Sequence, residues 1–235
     1  MVQNGQITFY THTYSPYCHR VHIALVETQA KYSEYVVNTM DKPAWFAAKV
    51  NPAGKIPAIT YGGSAAPAED PAPDAAKIPE STVFLEFLAE LFPEAKLLPT
   101  DPVLRAKARL LVIASETHLL EGFKVFFFAH SPEAEKTLLD SLEALPESGF
   151  AVGEWSIADI AAGPFLARIE MLLRHDLGSF PAGEGVRVHK VLQSERFARL
   201  GKYLDDVKAW PSFRDTWNEE LQAGIWRQNP AFKRR

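Results

Sequence analysis

The chain has 235 residues, 47% of them hydrophobic and 23% charged, with a formal net charge of −4. That balance belongs to a folded globular protein and excludes a disordered one, and the negative charge argues against nucleic acid or an anionic membrane as the main partner. A single cysteine, Cys18, excludes an intramolecular disulfide and fits a reducing compartment; the seven histidines show no metal-ligand spacing with acids or cysteines, so no metal is expected.

The N-terminus has neither a basic region nor an apolar core of useful length, so it does not read as a signal peptide. Apolar runs such as Val125–Ala129 fall far short of the ~20 residues that cross a bilayer. The expectation is a cytoplasmic protein. From the start of the chain, Ile7–Tyr10 reads as a short buried strand that ends in a polar turn. Ser15 then stands at an N-cap position with Pro16 at N1, where the missing N–H costs nothing. Val21 and Leu25 at i, i+4, with Ala24 beside them, give the helix an apolar face. Tyr32–Val37 reads as a second strand, and Pro43–Lys49 as a turn or two of helix closed by Asn51-Pro52-Ala53-Gly54. Ile56–Tyr61 is a third strand entered through a proline, which suits an edge or an irregular start.

Residues 62–78, rich in Ala, Pro, Asp and Gly, have no period that buries a face; they predict a long mobile loop, in part polyproline-like. Glu80-Ser81 opens a helix with Phe84, Phe87, Leu88 and Leu91 along one side. Phe92-Pro93 ends it, and the stretch to Pro102 reads as a linker. Everything beyond is helical in pattern. Leu104, Ala108, Leu111, Ser115 and Leu119 trace one face of a helix running as far as Phe128, and Pro132–Leu145 makes another. Ser156 and Asp159 are spaced as a capping box before a helix that is apolar on more than one side, the central helix of this half. His189–Val207 and Ser212–Leu221 complete the set. The fold class is therefore α/β plus all-α, with residues 1–92 as the mixed domain, 93–102 as linker and 103–235 as the helical domain.

In that order and spacing, four segments carry a resemblance: Tyr14-Ser15-Pro16-Tyr17-Cys18, Asn51-Pro52-Ala53-Gly54-Lys55-Ile56-Pro57, Glu80-Ser81, and the Ser156–Asp159 helix start. Over nearly its whole length the chain resembles the cytosolic glutathione transferases, and most of all the omega class and its fungal serine-type relatives. The resemblance implies a thioredoxin-like N-terminal domain that binds glutathione as co-substrate, an all-helical C-terminal domain, and a homodimer. The omega pattern places cysteine where this chain has Ser15, with Cys18 three residues on; that departure weighs against the class's usual thiol–disulfide chemistry. The loop at 62–78 also departs from the family's short hairpin.

The residue roles follow from that resemblance. The hydroxyl of Ser15 and the positive end of its helix would favour the thiolate of glutathione, although Ser15 also reads as a plain helix cap. Cys18 is either a thiol that forms a mixed disulfide with glutathione or a small core residue. Tyr17 belongs to the same glutathione-binding stretch. Ile56-Pro57 matches the family's cis-proline, with the main chain of Ile56 pairing with the cysteinyl part of the ligand and Lys55 meeting its glycyl carboxylate. Glu80 and Ser81 would hold the γ-glutamyl ammonium and carboxylate, a role compatible with helix capping. Phe123, Phe127 and Trp226 are candidates for a hydrophobic substrate pocket, against the alternative that an aromatic stripe is core. The implied activity is conjugation of glutathione to hydrophobic, chiefly aromatic, electrophiles or its use against peroxides. Glutathione-dependent reduction through Cys18 and carriage of aromatic small molecules are the two rival readings.

Overall fold

A computed structural model describes residues 5–129, 131, 133–143 and 149–232, and the chain divides into two compact units, Met1–Leu97 and Leu98–Arg235. In the first unit, strand β1 (Ile7–Thr11) is buried at every position. Successive residues of a strand point to opposite faces, so both faces of β1 are covered. Tyr10 lies in a cluster with Val37, Phe46, Val50 and Ala58, while Ile7 and Phe9 point the other way. Helix α1 (Pro16–Glu27) crosses over to β2 (Tyr32–Val36), which pairs parallel to β1. Helix α2 (Ala44–Lys49) contributes Phe46 to the cluster around Tyr10. Strands β3 (Ala58–Tyr61) and β4 (Ala76–Pro79) then pair antiparallel, giving the order β2-β1-β3-β4, and α3 (Ser81–Leu91) packs against α1. This is a thioredoxin-like sheet.

Two sequence expectations change here. Strand β3 is interior, flanked by β1 and β4, so the proline entry marks an irregular start and not an edge: the Ile56–Pro57 peptide is cis and the strand begins one residue later. The predicted loop at 62–78 is also more structured than its composition suggests. Its end is β4, and Pro71, Ala72 and Ala75 are buried. Small side chains and prolines bury themselves without any period, which is why pattern reading missed them.

The second unit is helical among the described residues. Asp101 Oδ1 accepts from the N–H groups of Val103 and Leu104, each at 2.8 Å, and so starts α4 (Pro102–Ala114) at the end of the expected linker. The helix continues through a π turn at Ser115–Leu119, α5 (Leu120–Lys124) and a second π turn at Val125–Ala129. Of the predicted face, Ala108, Ser115 and Leu119 are buried, whereas Leu104 is exposed. Helix α6 (Ala134–Leu142) lies within the predicted Pro132–Leu145 span, whose two end residues fall outside the described set. Helix α7 (Ile157–Arg174) is buried over most of its length and contacts α4, α5, α8 (Glu184–Leu192), α9 (Ala198–Ala209) and α11 (Glu219–Arg227), which makes it central.

The single helix expected over His189–Val207 is two. Helix α8 ends at Leu192, where the Ser194 hydroxyl donates to Val191 O at 2.6 Å, and a short 3-10 turn at Glu195–Phe197 carries Phe197 into the core before α9 begins. Ser212–Leu221 is likewise split into α10 (Pro211–Thr216) and α11, because Asn218 Oδ1 accepts from Leu221 N at 3.0 Å and caps a new helix.

Candidate functional site

The sheet register decides which segments meet. Tyr10, near the C-terminal end of β1, pairs with Ala58, the first residue of β3, and Ala58 pairs with Pro79, the last residue of β4. The segments beyond those ends therefore emerge at one end of the sheet: the turn that leads to Ser15, the Lys55-Ile56-Pro57 entry and the Glu80-Ser81 exit. Three stretches separated by some forty and some twenty-five residues are brought together by two strand pairings.

Ser15 sits in extended backbone before α1, and its Oγ accepts from Cys18 N at 3.3 Å. The cap reading is thus correct as geometry. The side chain is 5% exposed, and its proton has no acceptor among the described residues. A 12-residue helix begins at this point, so the hydroxyl and the positive end of the helix dipole act at the same place. Burial holds the imidazole of His12, in the preceding turn, below its ordinary pKa, so it brings no charge to neutral solution. Cys18 is 2% exposed on the first turn of α1, and Tyr17 is half-buried.

Ile56 is half-buried and its main-chain N–H and C=O bond to no described residue. The turn that presents it is built by Asn51. Its Oδ1 accepts from Ala53 N at 3.1 Å, its Nδ2 donates to Lys55 O at 2.7 Å, and its own carbonyl accepts from Gly54 N at 2.7 Å. Gly54 has φ +62°, which suits glycine. The Lys55 side chain is exposed and in no ion pair with described residues.

Glu80 caps α3 through its main chain and carries φ +74°, ψ 118°, outside the regions that side chains favour. Such conformations cost of order 1–3 kcal/mol and collect at ligand clamps. Ser81 is 5% exposed, and its Oγ accepts from Arg20 Nη1 at 3.4 Å. Arg20 comes from α1, is fully buried, and stacks over the Tyr17 ring at 5.4 Å. Neither Arg20 nor the turn-building role of Asn51 was read from the sequence. The signal for Arg20 was present, since it lies at i, i+4 from Ala24, on the stripe already assigned to the core.

Of the aromatic candidates, Phe123, Phe127 and Trp226 are 4%, 0% and 5% exposed. Phe123 packs against Phe127, Phe165 and Trp226 at ring separations of 5.2, 5.8 and 6.1 Å, so all three belong to the core of the helical unit. Phe128, at 36% exposure, is the member of that stretch that reaches the surface. Ser156 and Asp159 form the expected capping box. Among the described residues no group of three or more His, Cys, Asp and Glu side chains is arranged to hold a metal, and no helix is long and apolar enough to cross a membrane.

Residues 14–91 match the family described as glutathione S-transferase, N-terminal domain. The chain is 32% identical to the pyrimidodiazepine synthase of Drosophila melanogaster over 96% of its own length and 86% of that protein's. It is 43% identical to glutathione transferase Omega 2S of Trametes versicolor, covering 98% of this chain and 100% of that one with a TM-score of 0.90. The chain belongs to the glutathione transferase family. Within the family it is omega-like, and glutathione is the family's co-substrate. Omega 2S has also been solved in complex with 2,4-dihydroxybenzophenone, a structure that this chain matches at a TM-score of 0.89 and the same 43% identity.

Proposed function

We propose that this omega-like glutathione transferase binds glutathione at the sheet end and activates it through Ser15 for attack on hydrophobic, chiefly aromatic, electrophiles. The observation that carries this reading is the register that gathers Ser15, Ile56 and Glu80-Ser81 at one end of one sheet. In the scheme, the main chain of Ile56 pairs with the cysteinyl residue as an added strand, Lys55 meets the glycyl carboxylate, and Ser81 with the N-terminus of α3 takes the γ-glutamyl carboxylate beside Glu80. Tyr17 lines the site from the first turn of α1. The cysteinyl sulfur then lies near the Ser15 hydroxyl, whose donated hydrogen bond and the α1 dipole favour the thiolate. The thiol proton passes to solvent, a carbon–sulfur bond forms, and the electrophile's leaving group departs with its electron pair. Conjugation of an aromatic halide by wild type and Ser15→Ala tests the scheme; equal rates would remove Ser15 from it.

Reduction through Cys18 ranks below this reading because that thiol is 2% exposed; Cys18→Ser should leave thiol transfer unchanged. Carriage of aromatic molecules has a specific support, the dihydroxybenzophenone complex of Omega 2S. For either chemistry we assign the apolar ligand to the end of the helical run at 123–128, with Phe128 as the contacting edge and Phe123, Phe127 and Trp226 as its backing. The functional division we adopt is 1–92 and 103–235, with 93–102 between them. A homodimer is the third part of the proposal, supported by a stripe on α4 where Val103, Leu110 and Ile113 are 61%, 64% and 58% exposed; light scattering of wild type against Leu110→Glu tests it. A cytoplasmic location fits the lone cysteine.

A further inference from the structure

The segment between β3 and β4 is the part of the first unit that the family reading does not use. Tyr61 pairs with Ala76, so two residues suffice to join these strands, yet the chain spends residues 62–75 on the connection. The excess is folded against the unit. Gly62 N donates to Gln6 O at 3.0 Å. At Gly63, φ is +76°, and a Cβ there would lie 3.0 Å from both the Ala72 Cβ and the Ala75 main-chain nitrogen, so only glycine lets the returning chain pass. Ala72 and Ala75 are 4% and 8% exposed.

The middle of the segment is tied to what lies behind Ile56. Ala68 packs on the cluster of Tyr10, Val37, Phe46, Val50 and Ala58, the same cluster on which Trp45 and Ile56 pack. Its carbonyl accepts from the Tyr10 hydroxyl at 2.7 Å. The Tyr10 ring in turn stands 6.2 Å from Trp45 and 5.8 Å from Phe46, the aromatic residues of α2. Asp70 adds an ion pair at 2.9 Å to Lys49, the last residue of α2. That pair is largely exposed and contributes little. The Tyr10 bond is the stronger link, because it joins the segment to the ring against which α2 rests. Helix α2 is six residues long and has no side-chain N-cap, so it depends on packing for its order.

We propose that residues 62–75 are a strut that fixes α2 and the Asn51–Pro57 turn, and thereby sets the affinity for the cysteinyl-glycyl end of glutathione. The inference rests on the glutathione reading of the site. Ser15 lies on a different element, so the strut acts on glutathione binding and not on the reaction at sulfur.

The test uses wild type, a variant in which 62–75 is replaced by Asn-Gly, and Tyr10→Phe, which removes only the hydroxyl. Amide hydrogen exchange over 44–57 and steady-state kinetics with an aromatic halide are measured on each. The replacement should speed exchange over 44–57 and raise KM for glutathione about three- to tenfold with kcat within about twofold; Tyr10→Phe should move both in the same direction by about two- to threefold. If the replacement does not fold, Tyr10→Phe decides. Unchanged exchange, faster exchange with unchanged KM, or a fall in kcat at constant KM each overturns the strut. Failure of wild type to bind glutathione in calorimetry overturns the underlying reading, and is seen before any variant is compared.

Discussion

Ser15 and Ser156 each open a helix, and each accepts a hydrogen bond from a main-chain N–H of the first turn, at 3.3 Å in both cases. Their surroundings differ. Ser156 also donates to Asp159 at 3.1 Å, and Asp159 accepts in addition from Ser156 N, Ala151 N and the Tyr203 hydroxyl at 2.9, 2.8 and 2.8 Å. Every group in that cap is spent on another group of the fold. At the sheet end, the Ser15 proton, the Ile56 main chain and the Lys55 ammonium point to no partner among the described residues. A saturated cap holds a fold together, whereas an unsaturated one at a convergence of three segments is the arrangement on which the glutathione proposal rests.

The largest way to sharpen that contrast is to break the saturated cap. Asp159→Ala leaves buried donors on Ser156 and Tyr203, and a part-buried one on Ala151, without an acceptor and should lower unfolding stability by about 3–5 kcal/mol in urea titration. Burial pushes the Asp159 carboxyl above its ordinary value and the Tyr203 phenol well above its own, as expected of groups that serve the core. Glutathione affinity of whatever remains folded should be unchanged.

A smaller effect concerns Glu170, which meets Lys208 at 2.8 Å, Arg174 at 2.9 Å and His189 at 3.2 Å in the helical unit. Burial raises its carboxyl pKa, but the two cations outweigh burial and leave it lowered from 4.5. A lowered folded value stabilises the fold above the unfolded value, and that stabilisation is lost as pH falls through the folded one. Thermal melts from pH 7 downward should therefore lose stability below about 4.5, and Glu170→Gln should flatten that limb. On the other side of the contrast, Lys55→Met should weaken glutathione binding by up to about fivefold in calorimetry with stability unchanged, since an exposed ion pair contributes about 1 kcal/mol or less.

The legibility of the two regions also differed. The sheet end was readable because its residues punctuate the chain: Ser before Pro, Asn-Pro-Ala-Gly before Ile-Pro, Glu-Ser before an apolar helix. Each of those types has a backbone role that leaves a trace in sequence. Arg20 was missed because its role depends on Ser81, which tertiary packing brings to it, whereas Asn51 was read as part of a turn but its side-chain bonds to Ala53 N and the Lys55 carbonyl, local as they are, leave no pattern of their own. In the helical unit the existence of helices was plain from period, but the breaks at 193–197 and 217–218 turn on single Ser and Asn hydrogen bonds that hydrophobic period does not register. The order within 62–78 was hidden for a third reason: Pro71, Ala72 and Ala75 bury without alternating, and β4, which follows them, is exposed at three of its four positions and so shows no buried face.

The central claim is that the unspent hydroxyl of Ser15 lowers the pKa of glutathione's thiol. Titrating the thiolate absorbance of bound glutathione in wild type and Ser15→Ala measures this directly, with affinity checked by calorimetry. The account predicts that Ser15→Ala still binds glutathione and that its bound thiol titrates at least about one unit higher, the worth of one hydrogen bond to a charged group. An unchanged thiol pKa with glutathione bound would contradict it, and would leave Ser15 a helix cap like Ser156.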